Sequence, residues 1–245
     1  MKKFSLIILC FAISVFSLIA TNKLESHFEA SRPIASAIFG LGFSGLFFYG
    51  LIRLYDATGV KQNYTHWNYK DISISFGITL LVFASSVALL LLEGHSFTHF
   101  NGAKFFDFLL YQIRPATIEE VGFRFGIVTI AVFYFNLNVG ILLGAIPFGV
   151  LHLLNFLSGG EIYWLYILGT GVAGLFLSVI YLRFGLYAAV LVHYVWNVLA
   201  STAASSSSFK QEQLEGGVGT LAILLIASMV IFLDLRKSST NKRNK

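Results

Sequence analysis

The chain has 245 residues, of which 56% are hydrophobic and only 12% charged, with a formal net charge of +5. Soluble domains carry about 25% charged residues, so this composition excludes a sizeable soluble domain and points to a polytopic membrane protein. The positive balance does not imply nucleic acid. Lys2 and Lys3 follow Met1, and Arg236, Lys237, Lys242, Arg243 and Lys245 crowd the last ten residues, where basic ends beside a bilayer set orientation.

A spanning helix needs about 20 mostly apolar residues, and eight stretches qualify, approximately 4–20, 34–55, 72–92, 117–135, 138–157, 162–182, 184–201 and 217–235. The first follows Lys2-Lys3 like a signal peptide, but no small-x-small cleavage site follows it, so it reads as a retained helix. Its Cys10 is the only cysteine, which excludes an internal disulfide and a thiolate metal site; it reads as a buried small hydrophobe. The stretch 96–114 is apolar but interrupted, and suits an interfacial or re-entrant helix. Pro115 predicts a break, with the fourth span starting near Ala116 or Thr117. Pro147 predicts a kink in the fifth. Residues 201–216, with their run of serines, read as a flexible loop.

The expected fold is therefore all-α, with about eight transmembrane helices in a single integral membrane domain over residues 1–235. A basic, disordered cytoplasmic tail follows over 236–245. An even number of spans puts both termini on one side. That side collects Lys2, Lys3, Arg53, Lys61, Lys70, Arg183, Arg236, Lys237, Lys242, Arg243 and Lys245; the other has Lys23, Arg32, Lys104, Arg114 and Lys210. The imbalance predicts both termini in the cytoplasm. Tyr163, Trp164 and Tyr166, and Tyr64, Trp67 and Tyr69, read as interfacial aromatic belts.

Three polar clusters interrupt the apolar spans. An ionisable group at membrane depth costs about 2.5–3.5 kcal/mol on insertion scales, so each needs a reason. In the fourth span, Glu120 and Arg124 are four apart and can pair on one helix face, leaving Glu119 about 100° away and free for another task. The bland alternative is a structural pair locking two helices. In the fifth, His152 shares a face with Phe148, which can wall the imidazole; a lone membrane histidine is more often a helix–helix hydrogen-bonder. In the seventh, His193 and Asn197 are four apart and aim two donors at one point. That suits an oxyanion, a metal ligand with its supporting partner, or helix–helix glue. Together the three place acid, base and amide between spans four, five and seven, with Gly140, Gly144, Gly149, Gly169, Gly171 and Gly174 allowing close helix approach. His95 and His99 lie four apart in a loop, without a third ligand, and do not read as a metal site.

The ordered series Glu119-Glu120-x-x-x-Arg124, Phe148-x-x-x-His152 and His193-x-x-x-Asn197 resembles the CAAX protease and bacteriocin-processing family. Its members are intramembrane glutamic endopeptidases related to the type II CAAX prenyl endopeptidase. The peptidase core would span about 105–201. The resemblance implies that Glu119 and His152 activate a water, that His193 and Asn197 stabilise the oxyanion, and that Glu120 and Arg124 hold the site, with Glu120 able to share the catalytic work. It favours no tightly bound metal; were zinc present, Glu119, His152 and His193 would hold it. The implied substrate is a peptide or membrane protein, lipidated ones included; the short loops and the absence of an organelle address point to a bacterial cytoplasmic membrane.

Two other classes stay open at this level. A non-proteolytic scaffold, immunity or regulatory protein of the same fold would keep its phenotype when Glu119 or His152 is replaced. A proton-coupled carrier would show inverted repeats with broken helices in matching halves, and no such repeat is visible.

Overall fold

The computed structural model describes residues 2–28, 31–60, 68–97, 102–156, 163–208 and 211–243. These form eleven α-helices in chain order. They are α1 (Lys2–Glu25), α2 (Arg32–Thr58), α3 (Tyr69–Leu92), α4 (Gly102–Tyr111), α5 (Ile113–Glu119), α6 (Thr129–Tyr134), α7 (Leu137–Leu151), α8 (Trp164–Phe184), α9 (Leu186–Ser205), α10 (Gln211–Gly216) and α11 (Val218–Arg243). A π-helical segment, Glu120–Val128, joins α5 to α6, and a 3₁₀ turn, His152–Phe156, follows α7. Among the described residues there is no strand, only one isolated bridge, Phe97 with Ser207. The protein is an all-α integral membrane protein.

Seven of the helices are long and apolar enough to cross a membrane. The eighth predicted span, 117–135, is present as the stacked rod α5–π–α6, in pieces of 7, 9 and 6 residues. This rod is the centre of the bundle. All nine residues of its π segment are buried, with α1, α2, α7, α8 and α9 packed around it. A segment surrounded by protein has no lipid face, which is why the π segment can carry charges.

Close approach to the rod depends on glycine. A Cβ on Gly122 would lie 1.9 Å from Ser14 Oγ and 2.8 Å from Ser14 Cβ, and one on Gly126 would lie 3.3 Å from Cys10 Cβ. Helix α1 therefore seats directly on the π segment's backbone, with Cys10 only 1% exposed, as expected for a small buried hydrophobe. Widening the helix to i→i+5 bonding disturbs the carbonyl ladder, and neighbouring side chains take up its oxygens. The Tyr55 hydroxyl of α2 donates to the Phe125 carbonyl, and the Thr129 hydroxyl donates to the Arg124 carbonyl at 3.4 Å. Helices α8 and α9 are joined by one residue, Gly185, whose φ of 92° is open to glycine and strained for other residues.

The structure departs from the sequence reading in three places. Pro115 does not precede the rod but occupies its first turn, since α5 begins at Ile113; first-turn N–H groups have no intrahelical partner, so proline is tolerated there. Residues 201–216 are not an open loop: α9 runs to Ser205, and Ser208 N donates to Ser96 O at 2.9 Å. Helix α10 then follows, with Leu214 fully buried. Tyr166 is not an interfacial belt residue but is buried, at 7% exposed; Trp164 and Tyr69 are exposed, as a belt requires. The helical backbone of α11 runs to Arg243. Tyr64, Trp67 and His99 lie outside the described residues.

Candidate active site

The site forms where the rod, α7, α9 and α10 meet. Glu120 is fully buried and is met from two sides. Its Oε1 lies 3.1 Å from an Arg124 terminal nitrogen one turn along the rod, and 2.8 Å from His193 Nδ1 on α9. The second Arg124 nitrogen donates to the Gly174 carbonyl of α8 at 3.1 Å. The Arg124 guanidinium also lies over the Phe148 ring of α7, 4.4 Å from its centroid. Arg124 thus ties the rod to α7 and α8, and Glu120 ties it to α9. The predicted Glu120–Arg124 pair is present, and it has a third member in His193.

An ionised carboxylate only accepts hydrogen bonds. Glu120 therefore fixes the proton of His193 on Nδ1 and turns Nε2 toward Glu119, whose Oε2 is 3.8 Å away. His152 is set in a similar way. Its Nδ1 lies 2.8 Å from the Phe148 carbonyl, which can only accept, so the neutral ring keeps its lone pair on Nε2. Phe148 separates the two imidazoles, with ring centroids 4.8 Å from His152 and 5.8 Å from His193.

Glu119, His152, His193 and Asn197 all line one cavity of about 530 Å³, together with Asn22, Tyr111, Gln112, Arg114, Tyr166 and Glu215. Glu119 is 7% exposed, yet its Oε2 has no hydrogen-bond partner among the described residues. Buried carboxylate oxygens are normally satisfied, so an orphan one on a cavity wall is a place for water or substrate. A narrower, mainly apolar crevice of about 40 Å³ shares His152, His193, Asn197 and Glu215 and runs on to Ala173, Phe176 and Leu224. Glu120 and Arg124 stand behind the cavity wall, and Phe148 lines the crevice.

Four contributors were invisible in the sequence reading. Glu215, on α10, lines both spaces. Tyr166 lies edge-on to His152, with centroids 5.9 Å apart. Arg114 lines the cavity while ion-paired at 2.7 Å with fully buried Glu25 of α1, which also meets Arg32 at 3.4 Å and accepts from Tyr111 at 3.0 Å. The only sequence signal for these was a polar residue close to the end of an apolar run, which solvated helix ends share.

Among the described residues, no group of three or more His, Cys, Asp or Glu side chains is arranged to hold a metal ion. Glu119, His152 and His193 share the cavity without converging as a ligand set.

Fold and centre together define an integral membrane protein with a carboxylate–imidazole site enclosed between its helices. Residues 101–199, the stretch that holds all seven nominated side chains, match the family described as "Type II CAAX prenyl endopeptidase Rce1-like". That stretch is similar to a family of CAAX-type intramembrane proteases, and the rest of the chain lies outside the match. No curated protein and no solved structure matches it.

Proposed function

We propose that the protein hydrolyses a peptide bond of a membrane-associated protein or peptide, using a water activated by Glu119 and His152. The observation that carries this reading is the orphan Glu119 Oε2 on the wall of a cavity that His152, His193 and Asn197 also line. Peptide hydrolysis needs a base for water and donors for the oxyanion in one dry space, and these four side chains supply both.

The steps follow from the hydrogen bonds. A water between the Glu119 carboxylate and His152 Nε2 loses a proton to that pair as its oxygen adds to the scissile carbonyl carbon. Doubly protonated His193, held through Nδ1 by Glu120 at 2.8 Å, presents Nε2–H to the developing oxyanion in this scheme, and the Asn197 amide adds a second donor. The tetrahedral species collapses when the stored proton passes to the leaving nitrogen and the C–N bond breaks. Arg124 and Phe148 touch no substrate in this scheme. Arg124 holds Glu120 in place, and Phe148 supplies the carbonyl that sets the His152 tautomer. The scheme needs no metal.

The test compares membrane peptides from cells that carry the wild type, Glu119→Gln, His152→Ala or no protein. If both variants accumulate the same uncleaved peptides as the deletion, while remaining inserted at wild-type levels, the reading holds. Wild-type peptide profiles in both variants would overturn it and leave a scaffold role.

A further inference from the structure

The cavity has a side. Asn22 lies in the last turn of α1, Arg114 in the first turn of α5, and His152 directly after α7. Tyr166 opens α8, and Glu215 sits in the short α10 between α9 and α11. Every one of these positions belongs to the same end of the bundle. Lys2, Arg53, Lys70, Arg183 and the end of α11 belong to the other. The catalytic space is thus reached from the face opposite both termini.

Charge tells the two faces apart. Among the described residues, Lys and Arg number nine at the termini's end and four at the cavity's end. Two of those four, Arg32 and Arg114, are held by buried Glu25. The face richer in Lys and Arg stays in the cytoplasm. The cavity wall at the other end also carries Glu119 and Glu215, while its one Arg is neutralised by Glu25 at 2.7 Å.

We infer that the cavity opens on the extracytoplasmic face, and that the substrate is an exported peptide segment or the outer juxtamembrane part of a membrane protein. A chain whose reactive end remains in the cytoplasm cannot reach the site. This rests on the peptidase reading for the substrate, but not for the sidedness.

Two measurements decide it. In a Cys10→Ala background, single cysteines replace Asn22 and Leu154, exposed positions on the cavity wall, and Asp56, an exposed position near the end of α2. A membrane-impermeant maleimide is applied to intact cells and then to lysed ones. Asn22→Cys and Leu154→Cys should label in intact cells, and Asp56→Cys only after lysis; the reverse pattern overturns the inference. The second measurement maps the cleavage sites lost in the Glu119→Gln strain. Sites confined to exported segments support the substrate class, and sites in cytoplasmic segments overturn it. If no peptide changes, the peptidase reading fails and the substrate class falls with it, while the labelling pattern still fixes the open face.

Discussion

Glu120 and His193, 73 positions apart in the chain, share a hydrogen bond of 2.8 Å inside the bundle. The bond does two things. It docks α9 on the central rod, and it decides which nitrogen of His193 faces the cavity. Glu120→Gln keeps the shape but removes the negative charge beside His193 Nδ1. Turnover should fall about 10- to 100-fold, in the range found for partners that orient a functional histidine, with KM little changed. Steady-state kinetics on a substrate identified by peptide profiling would show the split; a rise in KM alone would contradict the assignment.

Arg124 is fully buried and makes contacts on three sides, to Glu120, to the Gly174 carbonyl and to the Phe148 ring. Lysine cannot reproduce a planar fork that bonds two acceptors while stacking on a ring. Removing one partner of a buried pair costs about 3–5 kcal/mol. Arg124→Ala should therefore lower the melting temperature in detergent sharply, and Arg124→Lys should recover only part of the loss. Equal melting of wild type and Arg124→Ala would show that the pair is not structural.

Asn197 lines both the cavity and the crevice and is assigned an oxyanion bond only. Loss of one such donor costs about 10²- to 10³-fold in kcat in a well-studied protease. Asn197→Ala should reduce kcat by that order, leave KM within a few fold, and leave the melting temperature unchanged. A large KM effect would instead make Asn197 a ground-state binding residue.

The parts of this arrangement that were legible in the sequence are those with a local signature. Long apolar runs marked the spans, and Glu120–Arg124 could be paired from four-residue spacing alone. What stayed hidden depends on distance or on register. Nothing local says that Glu120 will find His193, or that Glu25 will bury itself between Arg114 and Arg32. The π segment leaves no periodic mark, because a fully buried helix is apolar all round and its phase cannot be read. Glu215 was missed because α10 is a six-residue helix beside a serine run, with a composition that local propensity assigns to a loop. Gly122 lies inside the Glu119–Arg124 cluster and Gly126 just after it, but a glycine carries no local sign of which helix will pack on it.

Those two glycines carry a prediction about α1. A methyl group at Gly122 would strike Ser14, at 1.9 Å from Oγ and 2.8 Å from Cβ, and α1 would have to move off the rod. Overpacking of this kind costs about 1–3 kcal/mol. Gly122→Ala should lower the melting temperature, and Ser14→Gly in the same chain should restore much of it. Failure of the second change to rescue the first would mean that the contact with α1 is not the cause.

Helix α10 should control access more than stability. Its backbone lies against α8 so tightly that a Cβ on Gly169 would fall 2.1 Å from the Glu215 carbonyl oxygen, and one on Gly216 would fall 2.8 Å from Tyr166 N. The rod and its polar centre make their own contacts with α7, α8 and α9, none through α10. Gly169→Ala should consequently push α10 outward, carry Glu215 off the cavity wall and disturb the Tyr166 ring beside His152, while the Glu120–Arg124–His193 set stays assembled. The expected result is a several-fold rise in KM with a smaller change in kcat and a melting temperature close to wild type. Comparing Gly169→Ala with Glu215→Gln separates the two contributions. If both raise KM alike, the carboxylate binds substrate. If only Gly169→Ala does, α10 acts as a wall, and the Glu215 charge has no part in binding.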